Sequence, residues 1–162
     1  MSRLPMLIPA VCLFAVPLQS QAASASGRKR EPAAVAAPFD LTWAAVEKVV
    51  RGDRIHDPLR VVEEAAGYRK ARWTLRIPSE DFRAASWASC QSGAEAAVAP
   101  RSGVVTLVVR GDSTGTTVAV SVEWSAQDPN EMQRVMVCRT FEEYEKDIEK
   151  NVRKTAERAA RR

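Results

Sequence analysis

Few side chains in this sequence could carry a reaction, and their spacing decides which reaction that would be. The single histidine, His56, precedes Asp57 and Pro58, and the cysteines are Cys12, Cys90 and Cys138. A thiol nucleophile would have to be Cys90 or Cys138 with His56 as its base. A metal centre is not indicated, because neither a second histidine nor a Cys-x-x-Cys accompanies these residues. The 7 glycines form neither Gly-x-x-x-x-Gly-Lys nor Gly-x-Gly-x-x-Gly, so no phosphate-cradling loop and no cofactor is implied. Arg-Gly-Asp occurs at Arg51-Gly52-Asp53 and at Arg110-Gly111-Asp112, where Gly-Asp is ordinary turn chemistry. Glu63-Glu64 and Glu142-Glu143 are adjacent carboxylates that point apart on a strand or helix, so neither makes an acid and base.

The compartment decides what the sulfurs do. After Arg3, Leu4 to Leu18 is almost unbroken apolar sequence broken by Pro5, Pro9 and Pro17, too short for the roughly 20 residues of a spanning helix. Small residues follow it, and the pattern predicts a secretory signal at residues 1–22, cut after Ala22. Cys12 lacks the leucine and small residue of a lipoprotein cleavage site, so the expected product is periplasmic or secreted and not lipid-anchored. Cys90 and Cys138 then remain, and an oxidising compartment favours pairing them, with two buried thiols as the alternative. A bridge would close a loop of roughly 50 residues, worth about 4 kcal/mol in the chain-entropy picture. It would also remove the nucleophile.

The elements that position these residues follow from periodicity. Residues 23–37 mix Ala, Ser and Pro with Arg28-Lys29-Arg30 and predict a flexible linker. Residues 38–162 predict a single α+β domain. Asp40 offers an N-cap, Trp43, Val46 and Val50 make a helical stripe, and Gly52 supplies the stop. Leu59 to Glu64 predicts a short strand and Ala65-Ala66-Gly67 a turn. Ala71, Trp73, Leu75 and Ile77 then alternate with Lys70, Arg72, Thr74 and Arg76 up to Pro78, a strand with one buried face and one row of cations. Residues 79–103 have no sustained period; Ser79 could cap a short helix carrying Phe82 and Trp87.

Val104 to Val109, apolar on both faces, and the alternating Val118, Val120, Val122 and Trp124 flank Gly-Asp-Ser-Thr-Gly and predict a β-hairpin. Residues 125–130 predict a turn and Gln133 to Cys138 a last strand. Thr140 and Glu143 stand at capping-box spacing, and Phe141, Tyr144, Ile148, Val152, Ala156 and Ala159 predict a helix to about residue 160. Its acids come early and Lys150, Arg153, Lys154, Arg158, Arg161 and Arg162 come late, an order that opposes the macrodipole on a solvent-facing helix.

Charge excludes more than it assigns. With Lys+Arg 24 against Asp+Glu 20, the net +4 falls short of a nucleic-acid binder. The basic cluster Arg153, Lys154, Arg158, Arg161 and Arg162 offers weak peripheral contact with an anionic membrane or polymer.

The order of motifs resembles small bacterial envelope proteins of unknown function, many of them lipoproteins. The residues that carry this are Phe39-Asp40-Leu41-Thr42-Trp43, Glu64 to Gly67 leading into a Trp-bearing strand, Cys90 in the long loop, the Val-rich hairpin, and Cys138 directly before the terminal helix. Their domain is similar to the helix-grip modules in the lipoprotein subunit of the outer-membrane β-barrel assembly machine. The sequence departs from them in lacking the lipid-attachment cysteine and in Arg139-Thr140-Phe141. The resemblance implies a non-catalytic periplasmic module and carries over no active-site residue.

Together these observations predict a mostly antiparallel sheet of four to five strands, with an N-terminal helix and a long C-terminal helix on one face, helix-grip-like. The expected core is Trp43, Val46, Trp73, Leu75, Val118, Val120, Val122, Phe141, Tyr144 and Ile148. The expected function is an exported, non-catalytic module that binds an envelope protein or the cell-wall surface. The alternatives are a thiol-dependent hydrolase using Cys90 and His56, and a peripheral binder of anionic lipid or polymer through the basic terminal helix.

Overall fold

The computed structural model describes residues 30–52, 56–91, 97–112, 115–128 and 134–162. The signal segment, its cut after Ala22 and Arg28-Lys29 lie outside the described residues. The elements run β1 (Ala33–Val35), α1 (Phe39–Gly52), β2 (Arg60–Ala65), β3 (Tyr68–Arg76), α2 (Ala84–Trp87), β4 (Ala88–Cys90), β5 (Ser102–Gly111), β6 (Thr116–Gln127), β7 (Val135–Thr140) and α3 (Glu143–Ala160). The strands form one antiparallel sheet in the order β2-β3-β5-β6-β7-β4, with β1 added beside β6. The α+β class, the one-sided helices and the two hairpins are as the sequence predicts.

Alternation on β3 and β6 fixes which face is buried. Ala71, Trp73, Leu75 and Ile77 on β3 and Val118, Val120, Val122 and Trp124 on β6 all point into the core beneath α1 and α3. On β5, Val105, Leu107 and Val109 join them, whereas Val104 and Val108 are only half-buried. The expectation that β5 is covered on both faces is therefore corrected: it is central within the sheet, but no second layer lies over it. Trp87, Trp124 and Tyr144 meet at one end of the core, with ring centroids 5.3 to 5.7 Å apart. Gly103 makes room for this cluster, since a Cβ there would stand 2.7 Å from the Trp124 ring.

Several local expectations change. Helix α1 starts at Phe39, and the Thr42 N–H and hydroxyl both donate to the Pro38 carbonyl, at 3.0 and 3.1 Å. Asp40 sits inside the first turn, where it favours the positive helix end, and is not the cap. Residues 30–37 are not a free linker: Ala33–Val35 pair with Thr116–Val118, and Val35 and Ala37 are buried. Strand β6 continues through the expected turn at residues 125–127, because Ser125 to Gln127 pair with β7. Ser79 does not cap α2; its hydroxyl donates to Glu80, Arg83 precedes the helix, and Phe82 is 90% exposed.

The junction before α3 also differs from a capping box. Glu142 adopts a left-handed backbone, φ 65°, so the chain kinks and α3 begins at Glu143. Thr140 Oγ1 accepts from the Glu142 N–H at 3.0 Å and donates to Glu145 Oε1 at 2.9 Å. The kink throws Phe141 off the helix stripe, which leaves it 44% exposed and removes it from the expected core. The rest of that expected core is buried. At the other end of the stripe Ala159 is exposed.

Candidate binding surfaces and a buried carboxylate pair

Cys90 and Cys138 face each other across β4 and β7 and are bonded, with Cα atoms 4.0 Å apart. The Cys90 N–H and C=O are both engaged by Val98, at 3.0 and 2.9 Å, so the cysteine pair occupies a position where the two strands exchange no hydrogen bonds and side chains come closest. His56 forms an isolated bridge with Leu75 on β3, which β5, β6 and β7 separate from β4. Its Nδ1 lies 2.6 Å from the Asp57 carbonyl oxygen and its Nε2 meets that of Val50. The structure thus does not bring Cys90 and His56 together, and the sulfur is committed to the bridge. The second Arg-Gly-Asp is turn architecture: Asp112 Oδ1 accepts from the Gly115 N–H, 3.2 Å, and its carbonyl accepts from the Phe39 N–H.

One cluster of titratable groups escaped the sequence analysis. Glu145 and Glu149, grouped there with the solvent-facing charges of the terminal helix, are buried, at 3% and 6% exposure. They lie four residues apart on the α3 face that also carries Tyr144, Ile148 and Val152, against β6. Glu149 Oε1 accepts the Val120 N–H at 3.0 Å, in the stretch of β6 between its pairings with β1 and with β7. Arg30 closes over Glu149 as an ion pair. Burial raises the titration of both carboxyls above the ordinary carboxylate value; Arg30 and the hydrogen bonds oppose that shift, and for Glu149 the charge of Glu145 reinforces it. Glu145 Oε2 is buried without a hydrogen-bond partner. The available signal was the register: 145 and 149 each follow a buried position, 144 and 148, by one helical step.

The other sheet face carries no helix. Paired residues share a face, which places Arg60, Arg72, Thr106 and Ser121 in one row across β2, β3, β5 and β6. Arg60, Arg72 and Ser121 are exposed and Thr106 is half-buried. On one side of the row Lys70 meets Glu63, 2.6 Å, and on the other Arg76 meets Asp57, 3.4 Å. The hydrogen bond from Lys70, joined by one from Tyr68, holds the Glu63 carboxyl below its usual value. Arg110 stacks over the Tyr68 ring at 5.2 Å. The expected row of cations and hydroxyls is present and faces outward.

The basic end of α3 is likewise exposed. Arg153, Lys154, Arg158, Arg161 and Arg162 all reach solvent, Arg161 within 3.8 Å of Glu157. Arg158 and Arg162 join Lys48 of α1 around a groove of about 460 Å³ floored by Leu41, Ala44 and Ala159. Among the described residues no helix is long and apolar enough to cross a membrane.

No protein-family model matches the chain, and no curated protein or solved structure matches it either.

Proposed function

We propose that the protein is an exported, non-catalytic module of the bacterial envelope that binds an envelope protein or the cell-wall surface through its uncovered sheet face. The observation that carries this reading is the one-sided layering: α1 and α3 cover one face of the sheet, and the other presents Arg, Lys, Ser and Thr from four adjacent strands. Antiparallel sheets commonly leave one face to solvent. Here the face carries directly opposed cations, which solubility alone does not call for. The Cys90–Cys138 bridge supports export, since such staples persist outside the reducing cytoplasm. The resemblance to helix-grip envelope proteins agrees with this reading.

The test is site-specific photocrosslinking in living cells. A crosslinker at Ser121 on the open face captures an envelope component, whereas one at Asp147 on the outer surface of α3 does not. Equal capture from both positions, or from neither, contradicts the proposal.

The groove between α1 and α3 favours a second reading, peripheral contact with anionic lipid. Lys48, Arg158 and Arg162 surround an apolar floor there, and Arg153 and Lys154 lie on the same helix. Sedimentation with anionic vesicles at rising salt tests it: such contact weakens steeply with ionic strength, and salt-indifferent binding contradicts it.

A further inference from the structure

We infer that the row Arg60, Arg72, Thr106 and Ser121 binds the phosphate groups of an extended anionic polymer of the cell envelope. The inference rests on the reading of the open face as a binding surface and names its ligand class.

Arg60 and Arg72 are register partners on β2 and β3, so two guanidinium groups arise from directly opposed positions on one face. Like charges in that relation destabilise a strand pair. The neighbouring cations are neutralised inside the protein, Lys70 by Glu63 and Arg76 by Asp57. Arg60 and Arg72 form no ion pair among the described residues. The repulsion is therefore left standing where a carboxylate on either strand would have removed it, and an anion from outside the chain supplies the missing counter-charge.

Guanidinium forks match the oxygens of a phosphate group, which they bind bidentately. Thr106 and Ser121 extend the row with hydroxyl donors; the Ser121 hydroxyl has only a 3.5 Å contact with the Thr106 carbonyl to give up. With strands about 4.8 Å apart, the four positions span roughly 14 Å. That length suits successive phosphates along a chain better than a single ion. A bilayer is a poorer occupant, because the apolar residues beside the row, Val104 and Val108, are half-buried and offer no anchor among acyl chains.

Binding of the mature chain to linear inorganic polyphosphate, followed by fluorescence anisotropy over a salt series, tests the inference. The double variant Arg60→Gln/Arg72→Gln is expected to bind roughly tenfold more weakly at low salt. The slope of log affinity against log salt should fall by about one. Lys150→Gln/Arg153→Gln on α3 should change neither. Both arginines are exposed, so the double variant folds, and relief of the repulsion should hold its Tm at or above that of the parent. Unchanged affinity in the double variant overturns the inference. So does saturation by orthophosphate at similar concentration, which would make the row a simple ion site, or preferential binding of phosphatidylglycerol vesicles through the same arginines. If polyphosphate fails to bind while Ser121 still crosslinks in cells, the ligand class falls and the envelope-binding reading stands; if Ser121 captures nothing as well, both fall.

Discussion

Replacing Glu145 with glutamine should stabilise the protein at neutral and higher pH and do almost nothing in acid. Glu145 is 3% exposed, Thr140 satisfies one of its oxygens, and the other is buried without a partner. Burial lifts its titration above the ordinary carboxylate value. Between those two points the folded state binds more protons than the unfolded state, so stability falls as pH rises through the window. Below the unfolded carboxyl's own titration both states are protonated and the penalty disappears. An unsatisfied buried polar group costs about 1–3 kcal/mol, and a charged one more. The attraction of Arg30 and the imperfectly partnered amide of the variant return part of that gain. A net stabilisation of about 1 kcal/mol remains at about pH 8, a rise in Tm of roughly 3–5 °C for a domain of this size. The assay is urea and thermal unfolding of both proteins at about pH 8 and about pH 4, where the wild-type carboxyl is protonated. A destabilised variant at the higher pH, or the same difference at both, refutes the reasoning.

The same carboxylate pair predicts the opposite outcome for Arg30→Met. Glu149 loses its counter-charge, so stability drops by about 1–2 kcal/mol at neutral pH and recovers in acid, as unfolding at the two pH values will show. Cys90→Ala/Cys138→Ala should cost about 2–4 kcal/mol in urea unfolding. Hydrogen exchange in that variant should localise the loosening to β4 and Trp87, because β7 and Val98 alone then hold β4 to the sheet. Gly67→Ala should cost about 2 kcal/mol or more by thermal unfolding: Gly67 has φ +64°, and an added Cβ would stand 2.2 Å from the Gly111 carbonyl oxygen.

The long elements were legible because burial imposes a period on them. Val118 to Trp124 and Ala71 to Ile77 announce both their strands and the face each buries, and Tyr144 to Ala156 does the same for α3. Two short strands were not legible. Ala33–Val35 and Ala88–Cys90 are three residues each, too few for any period, and their places come from backbone pairing with β6 and β7. Phe141 and Phe82 misled because hydrophobicity says nothing about a left-handed kink at Glu142 or about a turn that leaves a ring in water. Glu145 and Glu149 were hidden for the converse reason. Charged residues on an amphipathic helix normally mark its outer face, and only the unpaired length of β6 with Arg30 beside it makes room for two carboxylates inside. The disulfide was within reach because two cysteines outside the cytoplasm have one simple arrangement. The open face was visible as a row of cations on β3, but its partner Arg60 came into register only with the sheet.

Export is the premise on which the staple, the missing nucleophile and the envelope partner all depend. Intact mass and native-state alkylation of the chain recovered from fractionated cells test it directly. The account predicts a chain beginning at Ala23, found in the periplasmic or secreted fraction, two hydrogens lighter than its reduced form and inert to alkylating reagent until reduced. An uncut chain in the cytosol whose Cys90 and Cys138 both alkylate while folded would contradict it.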